Sequence, residues 1–151
     1  MAKAFRMNAA RRLEARILAV LIRRGLAPST MFVLSVRGRN TGIIRSTPID
    51  PVLLGGHRWL VAPYGEVQWV RNARAAGHVV LSRRGRSEAL QIVEATPQQA
   101  APVIREYITR EVFSRPYFDV APDSPIEAFV AEAPRHPVFR VTGAADSAPV
   151  G

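Results

Sequence analysis

The stretch Arg37–Pro48, RGRNTGIIRSTP, lies between two apolar runs, and its reading decides the fold. It places Gly38 and Gly42, the guanidinium groups of Arg37, Arg39 and Arg45, and the hydroxyl or amide side chains of Asn40, Thr41, Ser46 and Thr47 in one turn. Met31, Phe32, Val33, Leu34 and Val36 before it read as a strand, as do Ile43, Ile44, Ile49, Val52, Leu53 and Leu54 after it. The turn is therefore a strand-to-strand connection whose backbone N–H groups are open to an anion. Glycine there permits positive φ or close approach of a ligand. Arginine supplies forked, permanently charged donors that match phosphate oxygens. The same composition also suits a basic turn in solvent.

Charge placement supports an anionic partner. Residues 1–45 carry ten Lys or Arg against the single acid Glu14, whereas after Arg45 eleven Arg face eleven acids. The positive field therefore belongs to the N-terminal segment and the glycine turn together, and suits an anionic ligand, nucleic acid or an acidic membrane surface. Nucleic acid is the weakest fit, because no strand interleaves aromatic and basic residues. The chain has no Cys, which removes disulfides, thiolate nucleophiles and Cys-ligated metal. His57, His78 and His136 form no local ligand pair, so no metal site is expected, and each reads as a half-buried strand residue.

Upstream of the turn, residues 5–24 set Phe5, Ala9, Leu13, Ile17 and Leu21 on one helical stripe with Arg6, Arg11, Arg16, Arg23 and Arg24 mostly off it, and Gly25 and Pro28 stop the helix. An apolar stripe of that width packs on its own domain or lies on an anionic membrane, and packing is the expectation. Arginines interrupt the apolar segment, which disfavours a cleaved signal peptide. Nothing in the sequence is long and apolar enough to cross a membrane. The chain reads as a soluble cytoplasmic protein in which residues 1–24 are able to sit at the inner membrane face.

Downstream, Trp59–Ala62 reads as a strand after the Gly55-Gly56 turn, and EVQWVRNARAAG as a short helix capped by Gly77. Residues 78–83 and 87–95 form a hairpin through Arg84-Gly85-Arg86. Thr96, Pro97 and Gln99 form a capping box that opens a helix to about Phe113, and Ser124, Pro125 and Glu127 repeat the arrangement ahead of IEAFVAEA. PVFRV, residues 137–141, closes the strand set, and the tail from Thr142 is small, polar and frayed. Three segments follow: an amphipathic helix over 1–25, one domain over 26–142 and a flexible tail over 143–151. The fold class is α+β, mainly β, a small closed or split β-barrel with peripheral helices.

Four segments in order carry a resemblance over about Leu26–Val141: the GRxxGxxRxxP turn (Gly38, Arg39, Gly42, Arg45, Pro48), VAPYG (61–65), WVRNxRAAG (69–77) and HPVFRV (136–141). Together they resemble the deazaflavin-dependent nitroreductase family, also described as quinone reductases that use coenzyme F420, an 8-hydroxy-5-deazaflavin. The resemblance implies a split β-barrel of the FMN-binding, flavin-reductase type. It implies that the cofactor phosphate meets Gly38, Arg39, Asn40, Thr41, Gly42 and Arg45, with Ser46, Thr47 and Pro48 along the groove wall. It implies that Ala62, Pro63, Tyr64 and Gly65 meet the ring, beside Trp69 and Asn72, which share one helix face.

The expected activity is hydride transfer from reduced F420 to a quinone, enone or nitro-type acceptor, by a monomer or homodimer. Tyr64 and Tyr107 are the candidate proton donors, with solvent as the alternative. FMN is the competing cofactor, and a non-catalytic F420 or FMN storage protein is the competing function. Some members carry Lys where this chain has Asn40 and Tyr64. Asp50, Tyr107, Tyr117 and Phe118 stand in for the tyrosines that nitro-reducing members place near substrate, so the acceptor pocket differs.

Overall fold

The computed structural model describes residues 2–3, 8–26 and 30–144. Seven strands, β1 (Phe32–Arg37), β2 (Ile44–Ile49), β3 (Val52–Leu54), β4 (His57–Val61), β5 (His78–Arg83), β6 (Arg86–Glu94) and β7 (Val138–Ala144), form one antiparallel sheet in the order β2-β1-β5-β6-β7-β4-β3. β2 and β3 occupy opposite edges of that order, yet only Asp50 and Pro51 separate them in the chain. Two residues span less than about 11 Å even when extended, so the sheet must curl until its edges nearly meet. That closure makes a split β-barrel. Pro48 is tolerated inside β2 because β2 is an edge strand with no outer neighbour.

Strand alternation divides the apolar residues between two cores. Leu34, Val36, Ile49, Leu60, Val79, Leu81, Leu90, Ile92 and Phe139 fill the barrel. Trp59, Val61 and Val138 face outward and pack with α3 (Pro97–Arg110) and α4 (Ile126–Glu132) through Val103, Ile104, Ile108 and Phe129. The helix α2 (Gln68–Ala76) joins the barrel core through Val70 and Ala73. Gly77 caps it at φ 74°, donating to the Ala73 carbonyl at 2.8 Å. Arg74 straps α2 to β6 with a two-pronged bond to Glu94 at 2.7 and 2.9 Å.

The first capping box forms: Thr96 Oγ1 accepts from Gln99 N–H, and Gln99 Oε1 accepts from Thr96 N–H. The second does not. Ser124 Oγ accepts instead from Ala121 N–H at 2.9 Å, and Pro125 stands at the start of α4 without a side-chain cap. The last strand runs through Ala144, because Gly143 and Ala144 still pair with Gln91 and Leu90 beyond a bulge at Gln91/Ile92.

The N-terminal helix α1 covers Ala9–Arg23, begun by Asn8, whose Oδ1 accepts from Arg11 N–H at 2.9 Å; Phe5, Arg6 and Pro28 lie outside the described residues. It packs on Val33, but not by the stripe expected from the sequence. Leu18, Ala19 and Ile22 meet the sheet, whereas Leu13 and Ile17 are 59% and 53% exposed and Val20 and Leu21 also face solvent. The helix has two apolar faces, and the one that docks carries Leu18, Ala19 and Ile22. Of the histidines, His57 is exposed on β4 and His136 is buried outside any strand.

Phe139→Ala should cost about 3–5 kcal/mol of unfolding free energy, the usual range for emptying a packed aromatic site. A denaturant melt within 1 kcal/mol of wild type would show that Phe139 does not anchor the barrel interior.

Candidate functional site

The glycine turn is held from the α2 side. Asn72, only 3% exposed, accepts two bonds from Arg39 through one oxygen, from the backbone N–H at 3.1 Å and from Nη1 at 2.8 Å. The same Nη1 donates to Gln68 Oε1 at 2.9 Å. Asn72 therefore positions Arg39; its oxygen is spent and does not reach toward a ligand. Within the turn Gly38 N–H donates to the Ile43 carbonyl, Gly42 N–H to the Gly38 carbonyl and Ile43 N–H to Thr41 Oγ1. A Cβ at Gly38 would fall 2.7 Å from Thr41 Oγ1 and 3.1 Å from the Ile43 carbonyl oxygen, so only glycine fits. Gly42 sits at φ 70°.

The turn is thus less open than its sequence suggests, because three of its N–H groups are used internally and that of Arg39 is given to Asn72. Those of Asn40 and Thr41 have no partner among the described residues. Arg39 bonds only neutral oxygens, and Arg45, exposed on β2, makes no hydrogen bond or ion pair among the described residues. Arg39 and the two unspent N–H groups in the turn, with Arg45 on the strand that follows it, are donors of the kind that suit an anion.

Register sorts the wall residues. Arg45 and Thr47 oppose Val36 and Leu34, and so lie on the barrel face. Ser46 and Pro48 oppose Ser35 and Val33 on the α1 face, where Ser46 Oγ bonds Ser35 Oγ at 2.8 Å and accepts from Arg23 at 3.4 Å. Register thus puts Arg45 and Thr47 on one face of β2 and Ser46 and Pro48 on the other, while Arg39, Asn40, Thr41 and Gly42 lie in the turn that precedes the strand.

The Ala62–Gly65 turn connects β4 to α2. Its Ala62 N–H donates to the Pro137 carbonyl at 2.9 Å, and Gly65, at φ 85°, lies so close to Arg135 that a Cβ would meet the carbonyl oxygen at 3.3 Å. Beside the turn is a cavity of about 200 Å³, bordered by Pro63, Tyr64, Gly65, Tyr117, Glu132 and His136 among others. Ligand pockets usually measure about 300–1,000 Å³, so this space is too small for a whole deazaflavin with its tail. Tyr64 and Tyr117 meet edge to face at 5.0 Å. Trp69 is half-buried, tilted against Phe139 at 5.9 Å, and serves the barrel core as well as the groove.

Tyr107 is elsewhere. Its ring is buried in the outer core, and its hydroxyl donates to Ser114 Oγ at 3.2 Å. Burial holds that hydroxyl well above the ordinary phenol range, and the Glu111 and Asp50 carboxyls add to the effect. Burial and Asp50 in turn push the Glu111 carboxyl up to about 7. A phenol so placed is a poor proton donor. No motif in the sequence marks Glu132, and His136, expected as a half-buried strand residue within HPVFRV, lies buried in the bend ahead of β7. The i,i+4 spacing of Glu132 and His136 across a helix end was the available signal.

A family model of F420H2-dependent quinone reductases matches residues 6–139. Among curated proteins none matches the sequence. Among solved structures, the F420-H2 dependent reductase FDR-A is 18% identical, with a TM-score of 0.50 over 76% of this chain and 95% of its own. A protein of unknown function, Atu2129 from Agrobacterium tumefaciens, is 16% identical, with a TM-score of 0.56 over 95% of this chain and 60% of its own. A structure described as a domain-swapped dimer is 17% identical, with a TM-score of 0.53 over 88% and 96%.

Tyr107→Phe should lower stability by about 1 kcal/mol, the typical worth of one hydrogen bond, and leave turnover nearly unchanged. A drop in kcat of tenfold or more, with the fold intact, would put the Tyr107 hydroxyl in the chemistry.

Proposed function

The chain belongs to the F420H2-dependent quinone reductase family, and from that premise we propose that it passes a hydride from reduced F420 to a small planar electrophile, a quinone or an enone. The observation that carries this reading is the donor set at the glycine turn. Arg39, locked by Asn72, and Arg45 present positive charge to the cofactor phosphate, and the Asn40 and Thr41 N–H groups complete the cradle. Bound F420 supplies the hydride; the protein's share is placement and exclusion of water. The backbone of Ala62–Gly65 lines the ring. The adjoining cavity, walled by Tyr64 and Tyr117, is sized for the acceptor's reacting ring. Of the two candidate tyrosines only Tyr64 borders that cavity, so Tyr64 or solvent at the open mouth delivers the proton that follows the hydride.

The exposed stripe Leu13, Ile17, Val20 and Leu21 supports peripheral contact with an anionic membrane through the N-terminal helix. Arg12, Arg16, Arg23 and Arg24 surround it, which favours acidic lipid headgroups over a second copy of the same basic helix. No helix among the described residues is long and apolar enough to cross a membrane.

Reduced F420 should be reoxidised by menadione only in the presence of the protein, and neither reduced FMN nor NADPH should replace it. Arg45→Ala should weaken F420 binding about tenfold, from loss of one charge-assisted contact. Tight F420 binding with no oxidation by quinones, enones or nitroaromatics would replace the reductase reading with storage.

Leu13→Ser/Ile17→Ser should abolish sedimentation with vesicles rich in acidic lipid while leaving the melting temperature unchanged. Unaltered vesicle binding, or a shift from dimer to monomer in its place, would rule out the membrane contact.

A further inference from the structure

The Glu132–His136 pair is the most deeply buried ionisable cluster among the described residues, at 2% and 5% exposure, and nothing in the cofactor cradle uses it. Glu132 Oε1 accepts from His136 Nε2–H at 2.9 Å and from Asp119 N–H at 3.2 Å, and its Oε2 accepts from Arg135 at 3.2 Å. The imidazole is stacked on Phe118 at 3.9 Å. Its other nitrogen, Nδ1, is buried with no hydrogen-bond partner. The backbone of Ala62 and Pro63, in the turn assigned to the ring, acts on this imidazole in the sense that favours its proton.

The same short segment grips that turn at two more points. Pro137 accepts from Ala62 N–H, and the Arg135 carbonyl occupies the space beside Gly65. Glu132 thus fixes His136, and residues 135–137 form the backing of Ala62–Gly65. A neutral imidazole with Nε2–H given to Glu132 has only a lone pair at Nδ1, so it donates to neither carbonyl. A second proton on Nδ1 would create a buried donor that must find an acceptor. The Ala62 and Pro63 carbonyls are the backbone acceptors that favour that proton.

We propose that Glu132 and His136 are a positioning pair that holds the Ala62–Gly65 turn in its ring-lining shape only while the imidazole is neutral. Protonation draws the turn's carbonyls toward Nδ1 and weakens cofactor binding. The charged and titratable groups around the pair are Glu132 and Arg135 on its own segment, Asp119 from the preceding loop, Tyr64 from the turn, and Tyr117 and Lys3 at the cavity. Burial outweighs the Glu132 carboxylate and keeps His136 below the ordinary 6.5. The unfolded chain therefore binds more protons just below pH 6.5, and stability as well as cofactor affinity falls as pH drops through that range.

The inference rests on F420 as the cofactor, and the test separates the two. F420 dissociation constants are measured from pH 7.5 to 5.0 by tryptophan fluorescence for wild type, His136→Gln and Glu132→Gln. Wild type should lose affinity by up to about tenfold per pH unit below its midpoint, beyond the change that His136→Gln shares through the cofactor's own titration. Glu132→Gln removes the group that favours the imidazolium, so its loss of affinity should begin at lower pH, and it carries the test if the His136 variant fails to fold. A purely structural role would lower stability in both variants and leave the three pH profiles parallel, which would overturn the proposal. No F420 binding by wild type at pH 7.5 would overturn the cofactor reading and this inference with it.

Discussion

The site depends on one buried amide. Asn72 lies inside the packing of α2 against the barrel, and its oxygen takes both the backbone and the side chain of Arg39. An unpaired buried amide costs a few kcal/mol, so the turn and the helix are committed to each other. Through that bond the glycine turn is tied to the barrel core, since Val70 and Ala73 on the same helix are fully buried among barrel residues. With that bond and the turn's three internal ones, the N–H groups of Asn40 and Thr41 are left without a partner among the described residues. The cradle is preformed, which lowers the ordering cost of binding an anion.

Closure of the sheet places the second half of the site. The two-residue link between β2 and β3 brings the barrel edges together, and α2 starts a few residues after β4 ends. The Ala62–Gly65 turn and the glycine turn therefore both flank the N-terminal half of α2, one covalently and one through Gln68 and Asn72. A ligand with an apolar ring and an anionic arm fits that arrangement. The segment from Glu132 to Pro137 backs the Ala62–Gly65 turn and gives the outer helical core its most deeply buried polar centre among the described residues.

Much of this was legible in the sequence because the signals were local. The glycine turn, the Thr96–Gln99 capping box, the hairpin at Arg84-Gly85-Arg86 and the Gly77 cap are each fixed by residues a few positions apart. What the sequence hid was orientation. In α1 two apolar faces compete, and only contact with Val33 decides that Ala19 and Ile22 pack while Leu13 and Ile17 do not. Ser46 and Thr47 have the same polarity, but the pleat sends one to α1 and the other to the barrel face. Tyr107 and Tyr64 are both tyrosines near the expected pocket, and tertiary packing alone buries the first. Ser124 repeated a capping pattern but found a nearer backbone donor in Ala121.

The central claim is that the Arg39–Asn72 turn recognises an anion and that the rest of the groove reads an apolar ring. The direct measurement is a pair of equilibrium titrations at fixed salt, one with F420 and one with its deazaflavin nucleoside, which has the same ring and ribityl chain but no phosphate or glutamate tail. The account predicts that the nucleoside binds at least about tenfold more weakly, the loss expected for one or two charge-assisted contacts, and that raising the salt narrows the gap. Equal affinities, unaffected by salt, would contradict it.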